Sequence, residues 1–185
     1  SAEELLRTIE KRIEDNHRRL EEILEEIARL IEDMLRTDER IVREIKELLK
    51  EVLDRVRRAG VPEEVLERVR RELERLKKEL EELRRRSEEK VKELKRRLEE
   101  IRRKLEEEHR DLRRKLEELR RDLGDRDHMV LHEYVNAAGI TERSLREAED
   151  LLRRVEEVIR TSKKESKDVL EKIERLLRDL ERRTR

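Results

Sequence analysis

The chain has 185 residues, 56% of them charged and 33% hydrophobic, with no Cys, Trp or Phe, three Gly and one Pro. Folds rich in β-sheet need many Gly, Pro and Asn turns, so sandwiches, barrels and doubly wound sheets are excluded, and the lack of Cys excludes disulfides and Cys-based zinc sites. The 52 basic and 52 acidic residues are interspersed, which argues against nucleic acid and membrane surfaces as partners.

The first predicted helix spans about residues 2–59. Its apolar residues recur at steps of three and four from Leu6 to Val56, which is typical of one amphipathic helix. A turn at Thr37-Asp38 is an alternative, but the apolar phase continues through it and favours a continuous helix. The helix is expected to end at Gly60-Val61-Pro62, with Gly as a left-handed cap and Pro opening the next helix.

The second predicted helix spans about residues 62–123, and its Leu-rich stripe has the same spacing. Gly124-Asp125 then supplies a short connection that reverses the chain. The third predicted helix spans about residues 126–183. The sequence therefore predicts an all-α fold, a single antiparallel three-helix bundle of very long, coiled-coil-like helices over residues 1–185.

One segment departs from the Arg, Glu and Leu background of the chain. It reads RDHMVLHEYVNAAGIT and holds the only Tyr, two of the four His and one of the three Gly. We name it the atypical segment. It consists of Arg126, Asp127, His128, Met129, Val130, Leu131, His132, Glu133, Tyr134, Val135, Asn136, Ala137, Ala138, Gly139, Ile140 and Thr141.

Two resemblances follow from these residues. The background has no Gln and only two Asn, and it resembles computationally designed, de novo helical bundles. The atypical segment resembles the eleventh β-strand of the green fluorescent protein family, in the form used as a split fluorescent protein tag. This resemblance implies a partner, the complementary ten-strand fragment. It also implies that Glu133 faces the chromophore of the completed barrel, with Leu131 and Val135 on the same inward face by strand alternation.

The atypical segment is nevertheless expected to be helical in this chain. A stripe that runs Leu131, Tyr134, Ala138, Thr141 continues in phase into the rest of the third helix. The intrinsic cost of this helix is about 5 kcal/mol, so packing has to offset it. In the helix Leu131 and Tyr134 would face the bundle core.

This reading predicts a caged peptide, that is, a switch or sensor component that binds its partner only after leaving the bundle. A designed key helix that replaces the third helix is a further candidate partner. Two alternatives remain open at this stage: a static display scaffold with an extended segment, and a structural test of peptide embedding with no switching. We expect no native compartment, a soluble recombinant protein that is cytosolic on expression, and a monomer, with self-association as an alternative.

Polar residues interrupt the stripes at matching heights. Antiparallel pairing makes residue numbers on the first two helices sum to about 125, and those on the last two to about 249. The sequence thus predicts two buried hydrogen-bonded layers that fix the register of the helices. The first comprises Asn16, His17, His109 and Thr141, and the second comprises Thr37, Asp38, Ser87, Ser162 and Ser166.

Candidate chemistry outside these layers is weak. His17 and His109 have no third metal ligand at suitable spacing, and the His128 and His132 pair belongs to the atypical segment. No Gly-rich phosphate loop and no nucleophile with an orienting base is present. We therefore expect no metal, no cofactor and no enzymatic activity.

Overall fold

The structure is a computed structural model that describes residues 2–121 and 127–184, with side chains over 3–121 and 129–182. Three helices pack against one another: α1 (Ala2–Arg58), α2 (Glu63–Arg121) and α3 (Asp127–Thr184). The described residues contain no strand. The predicted all-α three-helix bundle is therefore confirmed, and α1 is continuous through Thr37-Asp38.

The ends of the first two helices follow local chemistry. Glu3 and Glu4 lie in the first turn of α1 and three Arg in its last turn, which complements the helix dipole. Gly60 has a φ of 63°, the left-handed conformation expected of the cap. The Pro62 carbonyl accepts from the Leu66 amide at 3.1 Å, so α2 begins one residue later than predicted. The predicted Gly124-Asp125 connection and the adjoining helix ends at 123 and 126 lie outside the described residues.

The contacts divide the chain into two compact units. Unit 1 comprises Ser1–Leu30 and Glu93–Glu156, and unit 2 comprises Ile31–Lys92 and Glu157–Arg185. Each unit therefore contains a portion of α1, of α2 and of α3.

The core of unit 2 shows how its three helical portions run. Ile45 of α1 packs with Leu76 and Leu80 of α2 and with Ile173 of α3. Farther along α1, two buried Val side chains pack with Val69 of α2 and Leu180 of α3. Residue numbers thus fall along α2 as they rise along α1 and α3, so α2 is antiparallel to both.

The core of unit 1 is built partly from the atypical segment. Leu6 of α1 packs with Val130 and Tyr134 of α3, and the partly buried Leu116 and Leu119 of α2 cover this cluster. About two helical turns farther along α1, Ile13 packs with Ala137 and Ala138. The partly buried Leu112 and Leu116 of α2 pack against them. The small Ala side chains continue the apolar face that the larger residues begin.

Candidate functional site

The atypical segment is helical over its described residues, 127–141. Its inner face consists of Val130, Tyr134, Ala137 and Ala138, all of them buried. The prediction that Tyr134 faces the core is confirmed. Leu131 is only partly buried at the edge of the same cluster, because Val130 takes the inner position. Arg126 and the side chains of Asp127 and His128 lie outside the described part of the chain.

Tyr134 anchors the segment to the other two helices of unit 1. Its side chain is 0% exposed, and its hydroxyl donates to Glu10 Oε1 at 3.1 Å and to the Leu116 carbonyl at 3.3 Å. The other Glu10 oxygen accepts from Arg120 Nη2 at 3.0 Å. Burial first, and then the hydrogen bond to Glu10, raise the pKa of Tyr134 to about 12. One aromatic side chain is thus tied to α1 and α2 by both packing and hydrogen bonds.

The outer face of the segment is unusually apolar. Met129 is 62% exposed, Val135 56% and Ile140 38%, and Leu5 is the one other exposed large hydrophobic residue among the described side chains. Glu133 is half-buried, with its Oε2 3.9 Å from Lys115 Nζ. Helix surfaces elsewhere in the chain carry mainly charged residues. These exposed apolar side chains therefore contribute little to the packing of unit 1.

Gly139 weakens the helix at a point where a larger residue fits. A Cβ added there would meet nothing within 4 Å, and the backbone is helical. We expect Gly139→Ala to raise the free energy of unfolding by about 1 kcal/mol, because Gly is the poorer helix former. Gly60→Ala is the matched control and should lower it by about 1 kcal/mol, because Gly60 has a positive φ. Urea unfolding followed by circular dichroism measures both, and two changes of the same sign would contradict this account.

The first predicted polar layer lies at the end of the segment, in unit 1. Asn16 Nδ2 donates to Thr141 Oγ1 at 3.2 Å, and the rings of His17 and His109 are stacked with centroids 3.8 Å apart. Within this predicted layer, Thr141 therefore pairs with Asn16, and His109 pairs with His17. All four residues are half-buried rather than buried, because a three-helix arrangement leaves one side of such a layer open to solvent.

The charge of this layer is unevenly balanced. His17 Nε2 lies 2.9 Å from Glu21 Oε1, while no carboxylate within ion-pair distance of His109 is found among the described side chains. Burial is the largest cause that lowers the pKa of His109, and the neighbouring His17 and Arg113 lower it further. The neutral form of the His109 ring is therefore the favoured one.

The second predicted polar layer lies in unit 2. Asp38 accepts from Ser87 Oγ at 2.6 Å and from Ser162 Oγ at 3.3 Å, so one carboxylate joins all three helical portions. Ser166 lines a small cavity of about 80 Å³ beside them. Thr37, like the rest of the layer, is half-buried, so this layer too is less enclosed than predicted.

Removing the central carboxylate tests whether this layer stabilises unit 2. We expect Asp38→Ala to lower the free energy of unfolding by about 1–3 kcal/mol, since two hydroxyls lose a charged acceptor. Asp33→Ala is the control, because Asp33 is exposed on the same helix. Both substitutions gain the higher helix propensity of Ala over Asp, so their difference reports the loss of the hydrogen bonds. Denaturant unfolding of both variants checks this, and equal changes would show that the layer contributes nothing.

Glu10 and Arg120 are contacts of the segment that sequence reasoning missed. Both belong to the large set of charged residues that cover the helices, so neither stands out by type. The register does carry a signal, because the two sums above place residues on α1 opposite α3 residues numbered about 124 higher. Glu10 and Tyr134 differ by 124.

Comparisons with known proteins returned no match to a family model, to a curated protein or to a solved structure. Within the described ranges, no three His, Asp, Glu or Cys side chains converge as metal ligands would. None of the described helical stretches is both long enough and apolar enough to cross a membrane.

Proposed function

We propose that this chain is a designed carrier of a split green fluorescent protein strand-eleven peptide, residues 126–141. The bundle holds the peptide as a helix, and the complementary ten-strand fragment binds it once it has unwound. The observation that carries the proposal is that a segment whose sequence resembles a β-strand is helical here and anchored by the buried Tyr134. A display scaffold with an extended segment is not proposed, because the segment is not extended.

The two states exclude each other through the backbone. A helix rises about 1.5 Å per residue and a strand about 3.3 Å, so sixteen residues span about 24 Å or about 53 Å. Helical amides bond within the helix, whereas strand pairing needs them for the partner. The segment therefore has to unwind before the partner can pair with it.

Side-chain burial contributes to caging in a different way from the sequence-based expectation. Strand alternation would put Leu131, Glu133 and Val135 on the face that enters the partner barrel. In the helix, Val135 is exposed and the other two are only half-buried. Tyr134, which strand alternation places on the opposite face, is the most deeply buried of the segment. The bundle thus holds the peptide by one face and leaves much of the partner-binding face accessible.

Fluorescence recovery tests this proposal. The purified chain is mixed with the ten-strand fragment, beside the free sixteen-residue peptide at equal concentration. A caging free energy of about 4 kcal/mol would slow the gain of fluorescence roughly a thousandfold. A loosened variant, Val155→Asp, places a charge at a position of unit 1 that is fully buried and should restore much of the rate.

The alternatives give different time courses. A rate equal to that of the free peptide would mean that the segment is not caged. No fluorescence from either the native chain or Val155→Asp, with the free peptide active, would mean that the segment does not reach the partner, and the proposal would be wrong.

A further inference from the structure

The stacked histidines of unit 1 form a contact that depends on their charge. The two ring planes are inclined by 10° with centroids 3.8 Å apart. Neutral imidazole rings stack favourably at such a distance, whereas two imidazolium rings repel each other. The separation is well below the Debye length of about 8 Å at physiological salt, so dissolved ions screen this repulsion little.

Among the described side chains, Glu21 is the carboxylate in ion-pair contact with the stack. On α1, Glu21 Oε1 lies 2.9 Å from His17 Nε2, and its negative charge also acts on His109, where it partly offsets the lowering of the pKa. On α2, Arg113 adds a further positive charge near His109, while the Glu108 carboxylate accepts from Ser144 of α3 at 2.9 Å. On α3, the Glu142 carboxylate pairs with Arg12 of α1 at 2.7 Å.

The stack is adjacent to the last residue of the atypical segment. Asn16, next to His17, donates to Thr141, and Thr141 Oγ1 in turn donates to the Ala138 carbonyl at 2.8 Å. Ala138 belongs to the buried face of the segment and packs near Ile13. A movement that separates α1 from α2 at His17 and His109 therefore acts directly on this end of the segment.

We propose that the His17–His109 stack is an acid-sensitive contact, and that protonation of both rings opens unit 1 and frees the atypical segment from its helix. The direction follows from the lowered pKa of His109. In the unfolded chain the pKa of a His is about 6.5. As the pH falls, the unfolded state therefore takes up protons before the folded state does. The stability from this contact is complete above that pH and is lost as the pH falls through the lower pKa of the folded state.

Amide hydrogen exchange tests the inference on the chain alone. We expect protection factors for residues 129–141, corrected for intrinsic exchange, to fall about tenfold or more between about pH 7.5 and about pH 5.0. The variant with His17→Gln and His109→Gln should lose this response. His132→Gln is the control, because His132 is exposed on the segment itself and should leave the response unchanged.

Further variants distinguish the stack from general acid destabilisation. Glu21→Gln removes the carboxylate that compensates the first proton, so the loss of protection should begin at a higher pH. If the double variant does not fold, a ring titration of His109 by NMR in the native chain gives the answer instead, and a His109 that takes up its proton without loss of protection overturns the inference. Equal acid responses in the native chain and the folded double variant also overturn it, as does a native chain that shows none.

Acid-triggered complementation is the functional consequence, and it rests on the proposed function above. Because hydrogen exchange is measured without the partner, a failure of complementation and a failure of the acid response can be told apart.

Discussion

Leu6→Ala should raise the rate of complementation with the ten-strand fragment by at least about thirtyfold. A buried Leu→Ala change costs about 2–5 kcal/mol, and each 1.36 kcal/mol is a factor of ten. Leu6 is 4% exposed and packs with Val130 and Tyr134, so this loss falls on the contacts that hold the segment. The increase is limited only by the rate of the free peptide. Fluorescence against time measures it directly.

Leu5→Ala is the matched control for this prediction. Leu5 is the neighbouring residue on α1, but it is 55% exposed, so its truncation removes little packing. Both positions lie outside the atypical segment, and its sequence is therefore unchanged in both variants. Equal rates for the two variants would show that the Leu6 cluster does not hold the segment in place.

Tyr134→Ala should unwind the segment within the chain. Truncation of a large buried aromatic side chain costs about 3–5 kcal/mol, and it also leaves Glu10 and the Leu116 carbonyl without the hydroxyl. Hydrogen exchange at residues 129–141 should then approach that of the free peptide, and helical circular dichroism should fall. Since Tyr134 belongs to the segment, complementation has to be compared with a free peptide that carries the same substitution. Retained protection would contradict the anchoring role.

Tyr134→Phe separates the ring from the hydroxyl. It keeps the packing and removes the two hydrogen bonds, so it should cost about 1 kcal/mol. It should also remove an alkaline response, because the pKa of Tyr134 is raised to about 12. The pKa of a Tyr in the unfolded chain is about 10. The native chain should therefore lose this part of its stability as the pH rises above that value. If the alkaline loss of stability persists in Tyr134→Phe, groups other than Tyr134 cause it.

Most of the fold follows from the sequence because the determining interactions are local or periodic. The spacing of apolar residues at three and four predicts each helix. Gly60 predicts the end of α1, because a C-cap with a positive φ favours Gly. The pairing of Asp38 with Ser87 follows from antiparallel packing around Gly60, and Ser162 follows from the second antiparallel pairing, around Gly124. The helical state of the atypical segment follows from its phase, which outweighs its poor intrinsic propensity.

The remaining details depend on side-chain geometry that spacing does not resolve. Val130 and Leu131 are adjacent, and a seam spaced at three and four fits either one. The rotation of α3 decides that Val130 is buried and Leu131 only partly so. Which members of the first polar layer pair with each other, Thr141 with Asn16 and His17 with His109, depends on side-chain conformations that the register alone does not give. Half-burial of both polar layers likewise depends on how many helices surround them.

The proposed function requires that residues 127–141, which are helical in the structure, unwind before the partner binds. Hydrogen exchange at residues 129–141, measured on the native chain and on Leu6→Ala without partner, tests it most directly. We predict strong protection in the native chain, and a fall in Leu6→Ala by the same factor as the rise in its complementation rate. Two results would contradict this requirement. One is amide exchange in the native chain as fast as in the free peptide, and the other is faster complementation by Leu6→Ala with no change in protection.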